Sequence, residues 1–510
     1  MKARNLFLSL CAFAAICSCS KEIDPSVTDQ DVLAEDTFIQ VNIVAAKDAT
    51  KGTDGGTVVG TAAENEVKNA MLVFFASNGE FVEAREYNEF TWNTSSSNNV
   101  EKVSSIVVVL KGKTIVPRQV VAVLNYPQSL KDQIAGVENR PELYQLVADS
   151  PVSVIDATDA FLMTNSVYMD GGTVNYYTQI ADSHMYTGDE APAGYKPLEI
   201  YVERVAAKVK VSGTPTASVK TLTLHSGDEL HYYPTVTGVS LTNTSNKSFL
   251  LKHIHNYNTL AGWTWVFDGW NDVTNHRSYW ANSYDGAGHT KVSYSGIGTE
   301  KEWTRYYNEN TIHAYHTQLL VAATIKQAAD AHTMNPATDP AIGDLVKFGP
   351  TYYTLDDFLT VVANEVAALG VKVGGVAFDK TKLVLKHDTG FYSYVALADA
   401  VAFDTPAMQT AAAAKIAEYD DVLFWGDGMS YFFTHVEHFG PDAGVNAYGL
   451  VRNHYYDITL NSIAGLGTPI SGGSILDDID PEKPTDLDYN LAAKINILRW
   501  KVVSQSVDLN

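Results

Sequence analysis

The sequence predicts a mainly β protein built from two sandwich-like domains, with a few short helices and a further strand at its C-terminal end. Its 510 residues are more than one hydrophobic core usually organises. The 28 tyrosines and 35 glycines, with frequent Thr, Val and Asn, favour strands and turns over a helical bundle. Short runs of alternating apolar and polar residues recur along the chain, as expected for half-buried strands.

The first alternating run covers residues 38–44. Ile39, Val41 and Ile43 share one face, with Gln40 and Asn42 on the other, so the run predicts a strand with one buried face. The polar and acidic residues 20–35 before it predict a flexible tether. Residues 47–60 after it, rich in Gly, Thr and Asp, predict an exposed loop.

The rest of the N-terminal half predicts further strands and two helices. Strands are expected at residues 70–76, 105–110 and 119–124. Two short helices are expected between residues 129 and 148, the second starting at Pro141, because proline suits a first helical turn.

An alternating run at residues 198–211 is interrupted by Arg204 and Lys208, and we place the domain boundary near it. In the C-terminal half, Thr354 is predicted to cap a helix that reaches Leu369 and stops at Gly370. Thr405 before Pro406 predicts another helix start.

The polar residues 471–488 contain two prolines and predict a linker to a last apolar segment. In that segment apolar and polar residues alternate, but the phase slips after Ile497 and again after Val502. Such slips predict bulges or a bend between two strand segments. A strand behind a flexible linker is free to pair with another molecule, although it could also close its own domain.

The first residues carry the features of an export signal. A short basic region precedes an apolar run at residues 6–16, which is too short for a stable membrane anchor. Ile16 and Ser18 stand where a lipoprotein signal needs an aliphatic and a small residue, so Cys19 is the predicted lipidation site. All three cysteines lie at or before residue 19, so the folded part is expected to have no disulfide and no thiolate metal site.

Charge and motifs argue against several classes of function. The formal net charge of −23 disfavours binding to nucleic acid. His435 and His438 lack the His-Glu-x-x-His pattern of zinc proteases, and their spacing places them on opposite faces of a strand. No nucleophile elbow or phosphate loop occurs. We therefore expect no catalytic residue, no metal and no cofactor, and hence no enzyme.

Several stretches, in order along the chain, are similar to one known family. They are Cys19–Glu22, Phe161–Ser166, Val202–Lys208, Asn275–Ala281, Val451–Tyr456, Asn461–Ile463, Ile497–Gln505 and Val507–Leu509. Together they resemble the Mfa-type fimbrilins of the FimA and Mfa superfamily, subunits of the lipoprotein-derived (type V) fimbriae of Bacteroidales. The C-terminal stretch is the most specific part of the resemblance.

The resemblance implies transthyretin-like β-sandwich domains and a division of the chain into six parts. These are a signal peptide at 1–18, a tether and cleavable first strand at 19–51, an N-terminal domain at 52–205, a C-terminal domain at 206–470, a linker at 471–490 and a donor strand at 491–510.

The resemblance also implies assembly by donor-strand exchange. In the family, a trypsin-like protease cuts the loop after the first strand, which leaves, and the C-terminal strand of a neighbouring copy fills the groove. Here Lys51, followed by Gly52, stands where the family has Arg, and Lys47 is the second choice. The displaced strand would carry Ile39, Val41 and Ile43. The donor strand would use its apolar residues, namely Ile495, Ile497, Leu498, Trp500, Val502, Val507 and Leu509.

We therefore expect a structural fimbrial subunit at the cell surface that supports adhesion and biofilm formation. Its expected partners are copies of itself, anchor and tip subunits, the processing protease and, before maturation, the outer membrane through the lipid on Cys19. An anchor or tip subunit and a monomeric glycan-binding lipoprotein of the outer membrane stay open as alternatives. Trp263, Trp265, Trp270 and Trp280 would suit either a sugar-binding platform or a packed core.

Overall fold

The computed structural model shows a chain that is mainly β, as the sequence predicts. It describes residues 37–46, 60–90, 92–94, 100–110, 115–149, 160–187, 191–254, 271–312, 315–387, 392–438, 448–470, 490–499 and 503–504.

The described residues of the N-terminal half contain thirteen strands and two α-helices. The strands are β1 (Thr37–Ala46), β2 (Ala70–Phe75), β3 (Phe81–Tyr87), β4 (Trp92–Thr94), β5 (Val100–Leu110), β6 (Gln119–Leu124), β7 (Val147–Asp149), β8 (Met163–Asn165), β9 (Tyr168–Asp170), β10 (Thr173–Asn175), β11 (Thr178–Gln179), β12 (Tyr186–Thr187) and β13 (Leu198–Arg204). The helices are α1 (Gln128–Ala135) and α2 (Arg140–Gln145).

Ten of these strands form one large sheet, which we call the first sheet. Its order is β3-β2-β6-β8-β13-β1-β5-β4, with β11 beside β6 and β12 beside β1. The sheet curls, so that side chains from β1, β2, β5, β6 and β13 enclose one hydrophobic core. The opposite faces of β2 and β6 pack against α1 and α2. Both strands are buried on both faces, which explains their nearly continuous apolar sequences.

The described residues from 207 onward contain the remaining strands and two further α-helices. The strands are β14 (Ala207–Ser212), β15 (Thr216–Ala217), β16 (Lys220–Thr223), β17 (Glu229–Thr242), β18 (Thr244–Ser245), β19 (Lys247–Phe249), β20 (Asn271–Asp272), β21 (Arg277–Ser278), β22 (His289–Thr290), β23 (Trp303–Tyr307), β24 (Gln318–Gln327), β25 (Leu345–Phe348), β26 (Thr351–Thr354), β27 (Lys372–Val373), β28 (Val376–Ala377), β29 (Leu383–His387), β30 (Tyr392–Leu397), β31 (Val422–Trp425), β32 (Met429–His435), β33 (His454–Ala464), β34 (Thr468–Pro469), β35 (Asn490–Arg499) and β36 (Val503–Ser504). The helices are α3 (Leu355–Ala368) and α4 (Pro406–Ile416).

Two sheets of the C-terminal part share a core and form a sandwich. The second sheet has the order β23-β14-β33-β35-β36, with β15 beside β33. The third sheet has the order β16-β17-β24-β32-β34. Buried side chains of both sheets, among them Val209, Tyr456 and Ile458 from the second and Leu319 and Phe432 from the third, form one cluster.

The same four-strand arrangement occurs in the first and second sheets. In the first sheet β1 lies between the antiparallel β5 and the parallel β13, whose other neighbour is the antiparallel β8. In the second sheet β14 lies between the antiparallel β23 and the parallel β33, whose other neighbour is the antiparallel β35. The two halves of the molecule therefore repeat one spatial arrangement of strands, although β8 precedes β13 in the chain and β35 follows β33.

Residues 345–425 form a module inserted between β24 and β32. It has its own five-stranded sheet of order β26-β25-β31-β30-β29, packed against α3 and α4. Leu345 and Trp425 of the module pack with Leu320 and Tyr431 of the third sheet. The module therefore covers the face of the third sheet that points away from the sandwich core.

The predicted helix ends are confirmed by the capping contacts. The Thr354 side chain accepts a hydrogen bond from the Asp357 N–H, and the Thr405 side chain accepts one from the Met408 N–H. Gly370, just past α3, has a φ of 76°, which glycine adopts without steric cost. The helices α1 and α2 lie where the sequence predicts them, with Pro141 in the first turn of α2.

Candidate assembly interface

The first predicted strand, β1, is a central strand of the first sheet. It pairs with β5 in antiparallel register from Thr37 to Ala46 and with β13 in parallel register from Val41 to Ala45. At its start it also pairs with β12. Its backbone is therefore bonded on both sides, and its removal would leave two strands with unpaired edges.

Ile39, Val41 and Ile43 have no exposed surface and line the core of the first sheet. They pack there with residues of the two flanking strands, such as Val108 of β5 and Ile200 of β13. Burying a large aliphatic side chain contributes about 1.5–3 kcal/mol, so these three contribute on the order of 5–9 kcal/mol. A molecule that lost β1 would expose an apolar groove of matching size.

A tyrosine side chain also holds the backbone of β1. The Gln40 N–H donates to the Tyr195 hydroxyl at 3.0 Å, and that hydroxyl donates to the His184 carbonyl at 2.6 Å. The segment between β12 and β13 is thereby tied to the strand.

The predicted donor strand begins as β35 and pairs with its own domain in this structure. Its register with β33 is antiparallel and runs from Asn490 opposite Ala464 to Arg499 opposite His454. The chain then turns back, and Val503 of β36 lies opposite Ile497. The bend predicted from the phase slips is thus a hairpin, since the two segments pair with each other.

The structure places some of the predicted site residues and leaves others outside the described residues. Ile495, Ile497 and Leu498 belong to β35, in the second sheet, whereas Ile39, Val41 and Ile43 belong to β1, in the first. The two predicted partners are therefore not paired within one molecule. Outside the described residues lie Cys19, Lys51, Gly52, Trp500, Val502, Val507 and Leu509.

The two halves of the molecule meet at a buried group of charged residues that the sequence did not single out. The fully buried Arg452 contacts both carboxylate oxygens of Glu309 at 3.3 Å. Its guanidinium also donates to the carbonyls of Leu250 at 3.0 Å and Phe249 at 2.6 Å. Residues 247–249 pair with β7, and Leu250 and Leu251 pack with side chains of β2, β6 and α1, so Arg452 holds a segment that contacts the N-terminal half.

A second buried pair lies beside the first. Lys252 Nζ donates to Glu203 Oε2 at 2.7 Å and to the Ser278 carbonyl at 3.0 Å. Burial is the largest influence on both groups, and it raises the pKa of Glu203 and lowers the pKa of Lys252 despite their mutual attraction.

Two buried histidines complete this region. His438 lies between the Tyr456 hydroxyl, 2.8 Å from Nδ1, and the Tyr279 carbonyl, 2.6 Å from Nε2. His454 Nδ1 lies 2.9 Å from the Arg452 carbonyl. Burial lowers the pKa of both rings, to about 3 for His438, so both are neutral at physiological pH.

Four of the eight stretches that carry the family resemblance meet in this region. They contribute, among others, Thr164, Glu203, Arg204, Ser278, Tyr279, Arg452, Asn453, His454 and Tyr456. Their role in the structure is to hold the two halves together. Sequence reasoning missed Glu64, Lys252 and Glu309, because a single charged residue is taken for a surface residue until its neighbours in space are known.

The prediction that His435 and His438 lie on opposite faces of one strand is wrong, because β32 ends at His435 and His438 lies beyond it. Tyr279 and Trp280 are buried, whereas Trp263, Trp265 and Trp270 lie outside the described residues. In the part of the chain that the structure describes, no group of three or more His, Cys, Asp or Glu is placed to hold a metal ion. Among the same residues, no helix has the length and hydropathy needed to cross a membrane.

Comparison with known proteins identifies the C-terminal region. Residues 424–506, from β31 to the end of the hairpin, match the family profile described as major fimbrial subunit protein type IV, fimbrillin, C-terminal. No curated protein matches the chain in sequence.

Several solved structures are similar at low identity. A fimbrilin (fimA) of Porphyromonas gingivalis W83 is 14% identical with a TM-score of 0.39, covering 91% of this chain and 98% of its own. The tip fimbrial protein Mfa3 of Porphyromonas gingivalis, with C-terminal truncation, is 11% identical with a TM-score of 0.32, covering 90% and 100%. A proposed cell adhesion protein of Parabacteroides distasonis ATCC 8503 is 14% identical with a TM-score of 0.40, covering 90% and 96%.

The family match covers the last strands of the β-sandwich and most of the segment predicted to be donated, where the sequence resemblance is also most specific. This C-terminal region is therefore similar to the C-terminal part of the fimbrillins, a family of fimbrial subunit proteins.

Proposed function

We propose that this protein is a structural subunit of a cell-surface fimbria that polymerises by donor-strand exchange. In this proposal the chain is exported as a lipoprotein, lipidated at Cys19, held at the outer membrane and cut after Lys51. The released β1 leaves its groove, and the C-terminal strand of another copy enters it. The polymer supports adhesion and biofilm formation, and no catalytic step is performed by the subunit.

The observation that carries the proposal is the position of β1. The strand is central, its three inward side chains are fully buried, and the chain continues from its end into the segment that contains Lys51. A single cut in that segment would break the covalent link between β1 and the strands that follow it in the chain. The vacated groove offers two unpaired strand edges and an apolar floor, which is the geometry needed for strand addition.

The arrangement of β35 supplies a physical reason for exchange. Within the described residues, β35 pairs along its length with β33 only, apart from two positions bonded to β36. A donated strand would lose one neighbour to which it is paired along its length, β33, and would gain two, β5 and β13. The conformational entropy lost when the tail is ordered opposes this gain. A subunit with an empty groove is also unfavourable, because the groove exposes apolar surface and unpaired strand edges.

The test uses the purified full-length precursor and a low dose of trypsin. We expect a new N-terminus at Gly52, followed by ladders of polymer on gels run without boiling. Deletion of residues 491–510 is expected to abolish the ladders while the cut at Lys51 still occurs. Ladders that persist after this deletion, or mature protein that keeps residues 38–46 and stays monomeric, would contradict the proposal.

A further inference from the structure

The segment that follows the proposed cleavage site is fixed to both halves of the molecule. Glu64 has no exposed surface, and its Oε1 lies 2.6 Å from Lys208 Nζ of β14. The same carboxylate accepts hydrogen bonds from the Tyr306 hydroxyl of β23 and, at 2.7 Å, from the Thr61 N–H. The Glu64 N–H donates back to the Thr61 hydroxyl at 3.2 Å, which closes a tight turn.

Arg204, at the end of β13, holds this turn from the other side. Its Nε donates to the Glu64 carbonyl at 2.8 Å, and its Nη2 donates to the Asn65 side-chain oxygen. The Asn65 amide in turn donates to the Gly60 carbonyl at 2.9 Å. A Cβ at Gly60 would lie only 2.8 Å from Arg204 Nη2, so the backbone approaches the guanidinium closely. We call Thr61, Glu64, Asn65, Arg204, Lys208 and Tyr306 the clasp.

A second anchor lies just beyond the clasp. The Asn125 side-chain oxygen accepts a hydrogen bond from the Lys68 N–H at 2.7 Å, and its amide donates to the Glu66 carbonyl at 2.9 Å. Lys68 is the next basic residue after Lys51, and it is exposed. The Lys68 side chain is therefore accessible to a trypsin-like protease. The Lys68 backbone, however, is hydrogen-bonded to Asn125, and the residues before it are held by the clasp.

Proteolysis requires several residues around the cleaved bond to leave the folded structure and enter the protease cleft. Opening residues 60–68 would separate Glu64 from Lys208 and Arg204, leaving buried charges without their partners. Such a separation is strongly unfavourable in a protein interior. The clasp therefore opposes the opening that a cut after Lys68 needs, whereas it does not include the segment that contains Lys51.

We propose that the clasp sets the end of the segment removed at maturation, by keeping the bond after Lys68 out of reach of the trypsin-like protease. This inference rests on the proposed proteolytic maturation. Its consequence is that the mature subunit retains residues 52–68, and with them the carboxylate that neutralises Lys208 between the two halves.

The test measures cleavage after Lys68 in the full-length precursor under limiting trypsin. Glu64→Gln removes the charge of the clasp, and Lys208→Met removes its partner. Glu66→Gln is the matched control, since Glu66 is exposed two residues away. Cleavage after Lys220, an exposed lysine of β16, serves as the reference for general loosening. Fragments are identified by N-terminal sequencing and mass spectrometry.

We expect Glu64→Gln and Lys208→Met to raise cleavage after Lys68 at least about tenfold relative to cleavage after Lys220, with a new N-terminus at Asn69. Wild type and Glu66→Gln should give little of this product. An unchanged ratio in both clasp variants, or a cut after Lys68 in the wild type, would overturn the inference. The proposed function fails on a different readout, namely the absence of a start at Gly52 or of ladders.

Discussion

His438 lies wholly inside the protein, where its ring is bonded on both sides. The Tyr456 hydroxyl donates to Nδ1, and Nε2–H donates to the Tyr279 carbonyl, so the contacts fit a neutral ring. Burial lowers the pKa of His438 to about 3, and nearby Lys252 also favours the neutral ring. In the unfolded chain the same ring takes up a proton near pH 6.5.

This difference predicts acid sensitivity with a defined window. Because the folded-state pKa is the lower one, the unfolded state binds the extra proton as pH falls below 6.5, and stability is lost progressively down to about pH 3. At pH 5 the loss from His438 is about 2 kcal/mol relative to pH 7.5. We expect His438→Gln to be less stable than wild type at pH 7.5 but to lose less on going to pH 5, as measured by urea unfolding.

The exposed His332 offers the control, since His332→Gln should leave the pH dependence of unfolding unchanged. His454 has the same direction of pKa shift and should keep part of the acid sensitivity in the His438 variant. An identical pH dependence in wild type and His438→Gln would refute the assignment.

Residue by residue, the sequence predicts the face of β1 well and the buried charges poorly. Ile39, Val41 and Ile43 could be placed on an inner face because alternation is a local property of the chain. In the sequence, Arg204 and Lys208 interrupt an alternating strand pattern. In the structure, both residues contact Glu64, which lies about 140 residues earlier in the sequence. Such partners are set by tertiary packing, which no local pattern contains.

Strand β1 can be tested as an element by fastening it to its neighbour. Val41 lies opposite Ile106 in the antiparallel pair of β1 and β5, and both side chains are buried. Directly opposed residues of such a pair have Cα separations of about 4.5–5.5 Å, within the range that a disulfide bridges. The chain has no cysteine beyond residue 19, so an introduced pair has no competitors in the folded part.

We expect Val41→Cys/Ile106→Cys to be cut after Lys51 but to form no ladders while oxidised, because β1 cannot leave the groove. Reduction should release the strand and restore polymerisation, as read on unboiled gels. The single variant Val41→Cys is the control and should polymerise with or without reductant. Ladders formed by the oxidised double variant would show that assembly does not require β1 to depart.

At the level of elements, local sequence signals predict where helices and strands begin and end, but they do not predict which strands pair. The caps of α3 and α4 and the strands β2 and β6 could be predicted from residues close to one another in the sequence. The same holds for the bend after β35, which the structure shows as a hairpin. The inserted module of residues 345–425 was not predicted as a separate unit, because its strands have the same local pattern as those of the sandwich. The sheet that a strand joins depends on its pairing with segments far away in the sequence. Local sequence patterns contain little information about that pairing.

For the molecule as a whole, Arg452 and Glu309 form a fully buried ion pair at the place where the two halves meet. Removing one partner leaves the other charge buried, which costs roughly 3–5 kcal/mol in comparable pairs. We therefore expect Arg452→Met to lower the midpoint of thermal unfolding strongly. Arg452→Met/Glu309→Gln should be less destabilised than the sum of the two single variants, because no uncompensated charge remains.

A double-mutant cycle with all four proteins measures this coupling directly. Arg305 and Glu300 form an exposed pair on the surface and provide the comparison. Their cycle should give a coupling of less than about 1 kcal/mol. Equal coupling in both cycles would mean that Arg452 acts through packing rather than through its charge.

The repetition of one strand arrangement in both halves has a consequence for the shape of any assembly. β14 occupies in the second sheet the place that β1 occupies in the first, but it follows β13 after only Val205 and Ala206. A nick in that short connection would not release β14, which the chain also holds at its other end through β15. In the proposed exchange, each subunit would therefore open one groove and supply one C-terminal strand. Units of that valence join end to end with a fixed polarity, and the resulting fibre has no branch points.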